Sequence, residues 1–157
     1  MAGNALSQII DADWSDTDIL IVDMPPGTGD IQLSMIQKHN PAGAVIVSTP
    51  QDLALMDAER AVSLFAQAQV PLVGLVENMA GYLCPHCGES SDPFGTGGAQ
   101  EAAERLSMPF LGRIPLAIDI RRRSDAGDPP ASGEGPYAEA FRDIARKVSH
   151  WLTAQSV

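Results

Sequence analysis

The sequence predicts an α/β fold: a mostly parallel sheet flanked by helices. Three observations carry that prediction. Short, continuously apolar runs rich in β-branched residues recur along the chain, at 19–23 (ILIVD), 43–49 (GAVIVST) and 70–76 (VPLVGLV). Strands buried on both faces of a parallel sheet read this way. Stretches with helical spacing lie between them, and strand–helix alternation implies right-handed crossovers with helices on both faces. The 157 residues are 45% apolar, enough for one domain with a substantial core.

The elements follow in order. The run 19–23 ends in Asp23, and residues 25–29 (PPGTG) form a turn-rich loop after it. A weaker helix starts after Asp30. The strand 43–49 leads to a helix from Asp52 to Gln69 that places Leu55, Val62, Phe65 and Ala66 on one face. The strand 70–76 ends just before Asn78. Residues 97–107 (GGAQEAAERLS) open with glycines and continue with good helix formers. A fourth short run is 109–114 (PFLGRI). Residues 125–135 (DAGDPPASGEG) are a loop by composition. That loop leads to a terminal amphipathic helix over 136–154, where Tyr137, Phe141, Ile144, Val148, Trp151 and Leu152 recur at three- and four-residue steps. Pro136 suits its first turn.

The formal net charge is −10. Such a surface repels phosphate backbones and anionic lipid, so no nucleic-acid or membrane partner is expected. A local anion site built from backbone N–H groups remains compatible with it. No apolar run approaches the length of a transmembrane helix. The first basic residue is Lys38, so the positive start of a secretory signal is absent and a cytoplasmic location is expected. In a reducing compartment, a close cysteine pair reads as a metal or redox site rather than a structural disulfide.

Three places carry candidate chemistry. Asp23 stands at the C-terminal end of a predicted strand, the edge where open α/β sheets hold ligands. An aspartate there can hold Mg²⁺ through water in nucleotide-hydrolysing proteins, and Gly27 can bring a backbone N–H close to a terminal phosphate. A lone apolar run ending in Asp is more often a strand end and a turn; the full string DILIVDMPPGTGD shifts the balance to function. Asn78, also at a strand end, offers one acceptor and two donors to a purine edge; alone it reads as a cap. The string CPHC holds the only two cysteines, Cys84 and Cys87. Zinc, an iron–sulfur cluster, thiol–disulfide exchange and a structural pair all compete for it. His86 lies inside the short loop and does not readily join its neighbours on one metal. His39 and His150 read as surface residues. One chain therefore runs short of ligands, and two chains about a two-fold axis would supply four thiolates. FGTGG at 94–98 does not match a phosphate-loop pattern and reads as a turn before a helix.

Together these strings resemble the Mrp-type iron–sulfur cluster carriers, in the MinD/ParA-like branch of P-loop ATPases. The matching stretches are DILIVDMPPGTGDIQL, VSTPQDLALMDAERAVSLF, VPLVGLVENMAGYLCPHCG, FGTGGAQ and PFLGRIPLAIDIRRRSDAGDP, in the family's order over most of residues 5–130. The opening MAGNALSQII also looks like a mid-domain helix of that family. The resemblance implies ATP binding with Mg²⁺, slow hydrolysis at a homodimer interface, and a [4Fe–4S] cluster bridged by two CxxC pairs and passed to apo iron–sulfur proteins. It implies that Asp23 is the Walker B aspartate and that Gly27 lies in the γ-phosphate switch. Asn78, Pro115 and Leu116 would lie at the adenine, Cys84 and Cys87 would hold the cluster, and Asp52 and Asp57 would face the nucleotide or the partner subunit.

One departure is plain. No G-x-x-x-x-G-K-[ST] occurs; the only lysines, Lys38 and Lys147, do not follow a glycine. These residues are therefore expected to be the C-terminal part of a single P-loop NTPase domain, incomplete at the N-terminus. The sheet is expected to lack a strand and to expose an apolar face and an edge, making the chain alone aggregation-prone or partly molten. A thiol–disulfide oxidoreductase using Cys84 and Cys87, a zinc-linked dimeric binding module and an inert fragment are the alternatives.

Overall fold

The computed structural model describes residues 8–24 and 30–155. Helix α1 (Asp30–His39) leads to strand β1 (Ala44–Ser48), helix α2 (Asp52–Gln67) and strand β2 (Leu72–Glu77). A two-stranded hairpin follows, β3 (Tyr82–Leu83) with β4 (Ser90–Ser91). Then come α3 (Gly98–Arg105), β5 (Phe110–Arg113), α4 (Ile118–Asp125), a 3-10 turn at Pro130–Ser132 and the terminal helix α5 (Pro136–Gln155). No described helix is long and apolar enough to cross a membrane.

β1, β2 and β5 form a parallel sheet in that order, with β2 central. β2 reads as a continuous apolar run because both its faces are covered. On one face Leu75 packs with Ile46, Leu55, Ala58 and the alanines of α3. On the other, Val73 and Val76 pack with Leu111, Ile114 and the apolar stripe of α5, including Phe141, Ile144 and Trp151. Burying one such side chain contributes about 2 kcal/mol, so this two-sided strand is the keel of the fold. α1 adds a smaller cluster in which Met35 and Ile36 meet Ala44 and Val70.

The structure departs from the sequence expectation at 19–23. The run ILIVD is not a strand: it pairs with nothing among the described residues, and Ile21 is 86% exposed. β-Propensity makes a strand only where a neighbouring edge accepts its hydrogen bonds, and none of the described strands pairs with this run. A second correction concerns His39. Its side chain is only 11% exposed, with Nδ1 3.4 Å from Asp11, because the end of α1 folds against the chain near Asp11. His150 is exposed as expected. The loop over 125–135 is ordered by Arg123 of α4. Its Nε donates to Asp128 at 2.8 Å, and its other nitrogens donate to the carbonyls of Pro129 and Pro130.

Candidate functional site: the C-terminal edge of the sheet and the cysteine hairpin

All three parallel strands end on one edge, and backbone hydrogen bonds tie the segments beyond them into one strip. The Asn78 N–H donates to the Ser48 carbonyl at 2.7 Å, joining β2's end to β1's. The Ile114 N–H donates to the Glu77 carbonyl at 2.8 Å, and the Ala80 N–H donates back to the Ile114 carbonyl at 3.0 Å. The Leu116 N–H then donates to Gly81 at 2.9 Å, and Tyr82 bridges Leu116 in parallel. Asn78, Pro115 and Leu116, separated by nearly forty residues of sequence at the extremes, are thus brought together.

Asn78 is half-buried. Its Oδ1 accepts the Met79 N–H at 2.9 Å, which orients the amide and leaves its NH₂ available to a ligand acceptor. Met79 has φ 58, the left-handed region that non-glycine residues seldom adopt. Such local strain is typical of site-forming turns.

The hairpin grows from this strip. Tyr82 pairs with Ser91 and Leu83 with Ser90, antiparallel. The Cys84 N–H donates to the Glu89 carbonyl at 2.9 Å, and the Gly88 N–H donates to the Cys84 carbonyl at 2.9 Å. Gly88, at φ 71, closes the turn in a conformation that favours glycine. Both cysteines are free, Cys84 half-buried and Cys87 exposed. The Cys84 thiol is held below its ordinary range, first by the Cys87 backbone N–H, then by the His86 backbone N–H and the Cys87 side chain. Those donors favour a thiolate, the form that binds a metal or a cluster. No group of three or more His, Cys, Asp or Glu residues able to hold a metal occurs among the described residues. One chain offers two thiolates on a rigid turn.

The other predicted residues fare differently. Asp23 is exposed, and its side chain has no polar partner among the described residues. Gly27 lies outside the described residues. Asp52 and Asp57 are exposed on α2, with Asp57 paired to Arg60 at 2.9 Å. FGTGG is the turn before α3, as its composition indicates, and an N–H at the start of that helix is taken by a carboxylate of the chain itself. The Ala99 N–H at the start of α3 already donates to Glu77 Oε2 at 2.9 Å.

A family comparison settles the kinship of this arrangement. The family described as ParA, NUBPL iron-transfer P-loop NTPase, matches residues 1–149. The chain belongs to that family. Among curated relatives of this P-loop NTPase chain is the iron–sulfur cluster transfer protein NUBPL of Dictyostelium discoideum, 44% identical over 151 residues. The match covers 94% of this chain and 47% of the relative. A solved nucleotide-binding protein from Archaeoglobus fulgidus, in complex with ADP, is 44% identical with a TM-score of 0.63, covering 71% of this chain and 46% of that one. The Mg-ADP complex of MinD from Pyrococcus horikoshii has a TM-score of 0.69 at 21% identity, covering 93% of this chain and 56% of that one. That likeness concerns the fold: a parallel sheet flanked by helices, as in MinD-like P-loop NTPases. The chain spans about half the length of the proteins it matches.

Three residues of this P-loop NTPase chain, Glu77, Arg113 and Gly98, were not singled out from sequence. Glu77, at the end of β2, is 0% exposed. Its Oε1 accepts from Arg113 Nε at 2.8 Å while its Oε2 takes the Ala99 N–H. Arg113 also donates to Gln100 at 2.8 Å. The buried carboxylate thus joins β2, β5 and α3 directly beneath Asn78 and Pro115. A charge closing an otherwise apolar strand, LVGLVE, was the signal. Gly98 completes the junction: a side chain there would overlap the Pro50 carbonyl, so only glycine lets α3 press on the loop after β1.

Proposed function

We propose that this chain is the cluster-holding and base-contacting part of an iron–sulfur cluster transfer P-loop NTPase. The observation that carries the reading is the hairpin turn. Cys84 and Cys87 stand on a rigid knuckle whose backbone N–H groups favour the Cys84 thiolate, in a chain of the iron-transfer family. Hydrogen bonds to sulfur also tune a cluster's charge and potential. Two thiolates per chain fit a [4Fe–4S] cargo shared between two copies, each giving Cys84 and Cys87. The recipients are apo iron–sulfur proteins, which take the cluster through their own thiolates.

The nucleotide role follows from the same edge. Asn78, Pro115 and Leu116 form a strip able to receive an adenine, with the Asn78 NH₂ free to donate to a ring nitrogen. Asp23 would hold Mg²⁺ through water, and Gly27 would meet the γ-phosphate. ATP hydrolysis also needs a phosphate-binding loop, and the 157-residue sequence contains no G-x-x-x-x-G-K-[ST]. We assign residues 1–157 to a single P-loop NTPase domain as its C-terminal part. A thiol-exchange reading lacks the helix N-terminus that activates such dithiols, since α3 begins only at Gly98.

Anaerobic reconstitution with iron and sulfide tests the cargo. Iron and acid-labile sulfide bound per chain are measured for the unaltered chain, Cys84→Ser and Cys87→Ser. The reading expects roughly two of each per chain, a brown protein, and loss of both in either variant. A colourless chain that retains zinc, or iron uptake indifferent to both cysteines, contradicts it.

A further inference from the structure

The residues that carry the cysteines have no core of their own. None of residues 78–98 is buried, and the hairpin within them has two residues in each strand. A segment with so little buried surface opens easily unless its two ends are held. The entry is held by backbone hydrogen bonds from Asn78, Ala80 and Gly81 to Ser48, Ile114 and Leu116.

The exit runs into α3, and the start of that helix lacks a cap of its own. Its N-cap residue is Gly97, which has no side chain to accept from the first N–H groups. Glu77 supplies the acceptor from 22 positions back in the chain: its Oε2 takes the Ala99 N–H at 2.9 Å. A carboxylate also suits the positive end of a helix. The other oxygen accepts from Arg113 Nε at 2.8 Å, which stops the side chain from turning away. Glu77 is the last residue of β2. One residue thus adjoins the cysteine-bearing loop where it leaves the sheet and grips it where it returns. The small alanines of α3 give its start a non-directional contact, whereas this hydrogen bond fixes its position.

We infer that Glu77 is a positioning residue for the cysteine knuckle: its carboxylate closes loop 78–98 at the base and so holds the turn that carries Cys84 and Cys87. The consequence for a cluster rests on the cluster reading above; the clamp itself does not.

Glu77→Gln tests it. The amide presents one acceptor oxygen where the carboxylate presents two, so either Ala99 or Arg113 loses its partner. Val73→Ala, which thins the packing on the opposite face of β2, is the control for general loss of stability, and circular dichroism registers that each variant folds. In metal-free protein, hydrogen exchange is read at the Cys84 and Gly88 amides, both hydrogen-bonded within the turn. It is expected to quicken about fivefold in Glu77→Gln, the equivalent of one hydrogen bond, and to stay unchanged in Val73→Ala. In reconstituted protein, loss of iron to a chelator, followed by the cluster's visible absorbance, is expected to show the same pattern. Should Glu77→Gln not fold, Gly98→Ala carries the same expectation, since a side chain there overlaps the Pro50 carbonyl and drives the start of α3 off Glu77. If the unaltered chain takes up no cluster, the cluster reading fails and the exchange measurement alone decides the clamp. Unchanged exchange in Glu77→Gln overturns the proposal. So does equal acceleration in Val73→Ala or, in loaded protein, iron loss no faster than from the unaltered chain.

Discussion

The β2–β5 side of the sheet and the β1–Asp23 side behave as opposites. On the first, every layer is closed: β2 is covered on both faces, α5 lies over β5, and the Glu77 carboxylate joins three elements. On the second, among the described residues, β1 pairs along one edge only, the run 19–23 pairs with no strand, and Asp23 has no polar partner. The cysteine hairpin and the strip of Asn78, Pro115 and Leu116, proposed to contact the base, belong to the closed side. Asp23, proposed to hold the cation, belongs to the open one. On the proposed reading, the thiolate half of the site is formed by the described residues of the hairpin, while the phosphate half rests on Asp23 and Gly27.

Substitution in the keel should break the comparison most severely. Leu75→Ala, in a side chain 1% exposed, is expected to cost about 3 kcal/mol, whereas Ile21→Ala on the open side should cost close to nothing. Chemical denaturation of both variants is the check, and equal losses would erase the contrast. Glu77→Gln comes next. It leaves an amide NH₂ facing either the Ala99 N–H or Arg113, so one donor loses its acceptor, at about 1–2 kcal/mol. The same variant should loosen the Asn78–Pro115 strip, read as faster amide exchange at Ile114 and Leu116 with β1 amides unchanged.

A smaller effect sharpens the thiolate half. Because its N–H donors hold the Cys84 thiol below the ordinary range, Cys84 should remain thiolate at lower pH than a cysteine in an unstructured peptide. Its alkylation rate should therefore reach half-maximum at lower pH than the peptide's, near 8.5 for a free thiol, and unfolding should abolish the difference. Smallest of all, Asp125→Ala removes an exposed pair with Arg121 at 2.7 Å and should change stability by less than about 0.5 kcal/mol. A larger loss would show that α4 contributes more to the closed side than its exposed pairing implies.

How far the sequence reveals this molecule depends on whether a feature is local. β1, β2, α2, the glycine turn before α3 and the amphipathic α5 are legible because periodicity and turn chemistry report burial directly. The cysteine knuckle is legible from spacing and from Gly88. The run 19–23 is, like β2, an apolar stretch ending in an acidic residue, yet forms no strand, because a strand is defined by its neighbour and composition does not show whether one is present. Glu77 was passed over because the carboxylate's partners, Arg113 and the start of α3, lie more than twenty residues away. Helix α4 hides behind three successive arginines with no buried residue to mark a face. Pro115 and Leu116 were placed by resemblance, and the bridge from Leu116 to Tyr82 supplies the physical link to the hairpin.

The central claim is that Cys84 and Cys87 hold a cluster shared between two chains. Native mass spectrometry of the anaerobically reconstituted chain addresses it most directly. The account predicts a species of two chains plus one [4Fe–4S] unit, dissociating to bare monomers when Cys84 is replaced by serine. A single chain carrying its own metal, or a dimer whose mass includes no iron, would contradict it.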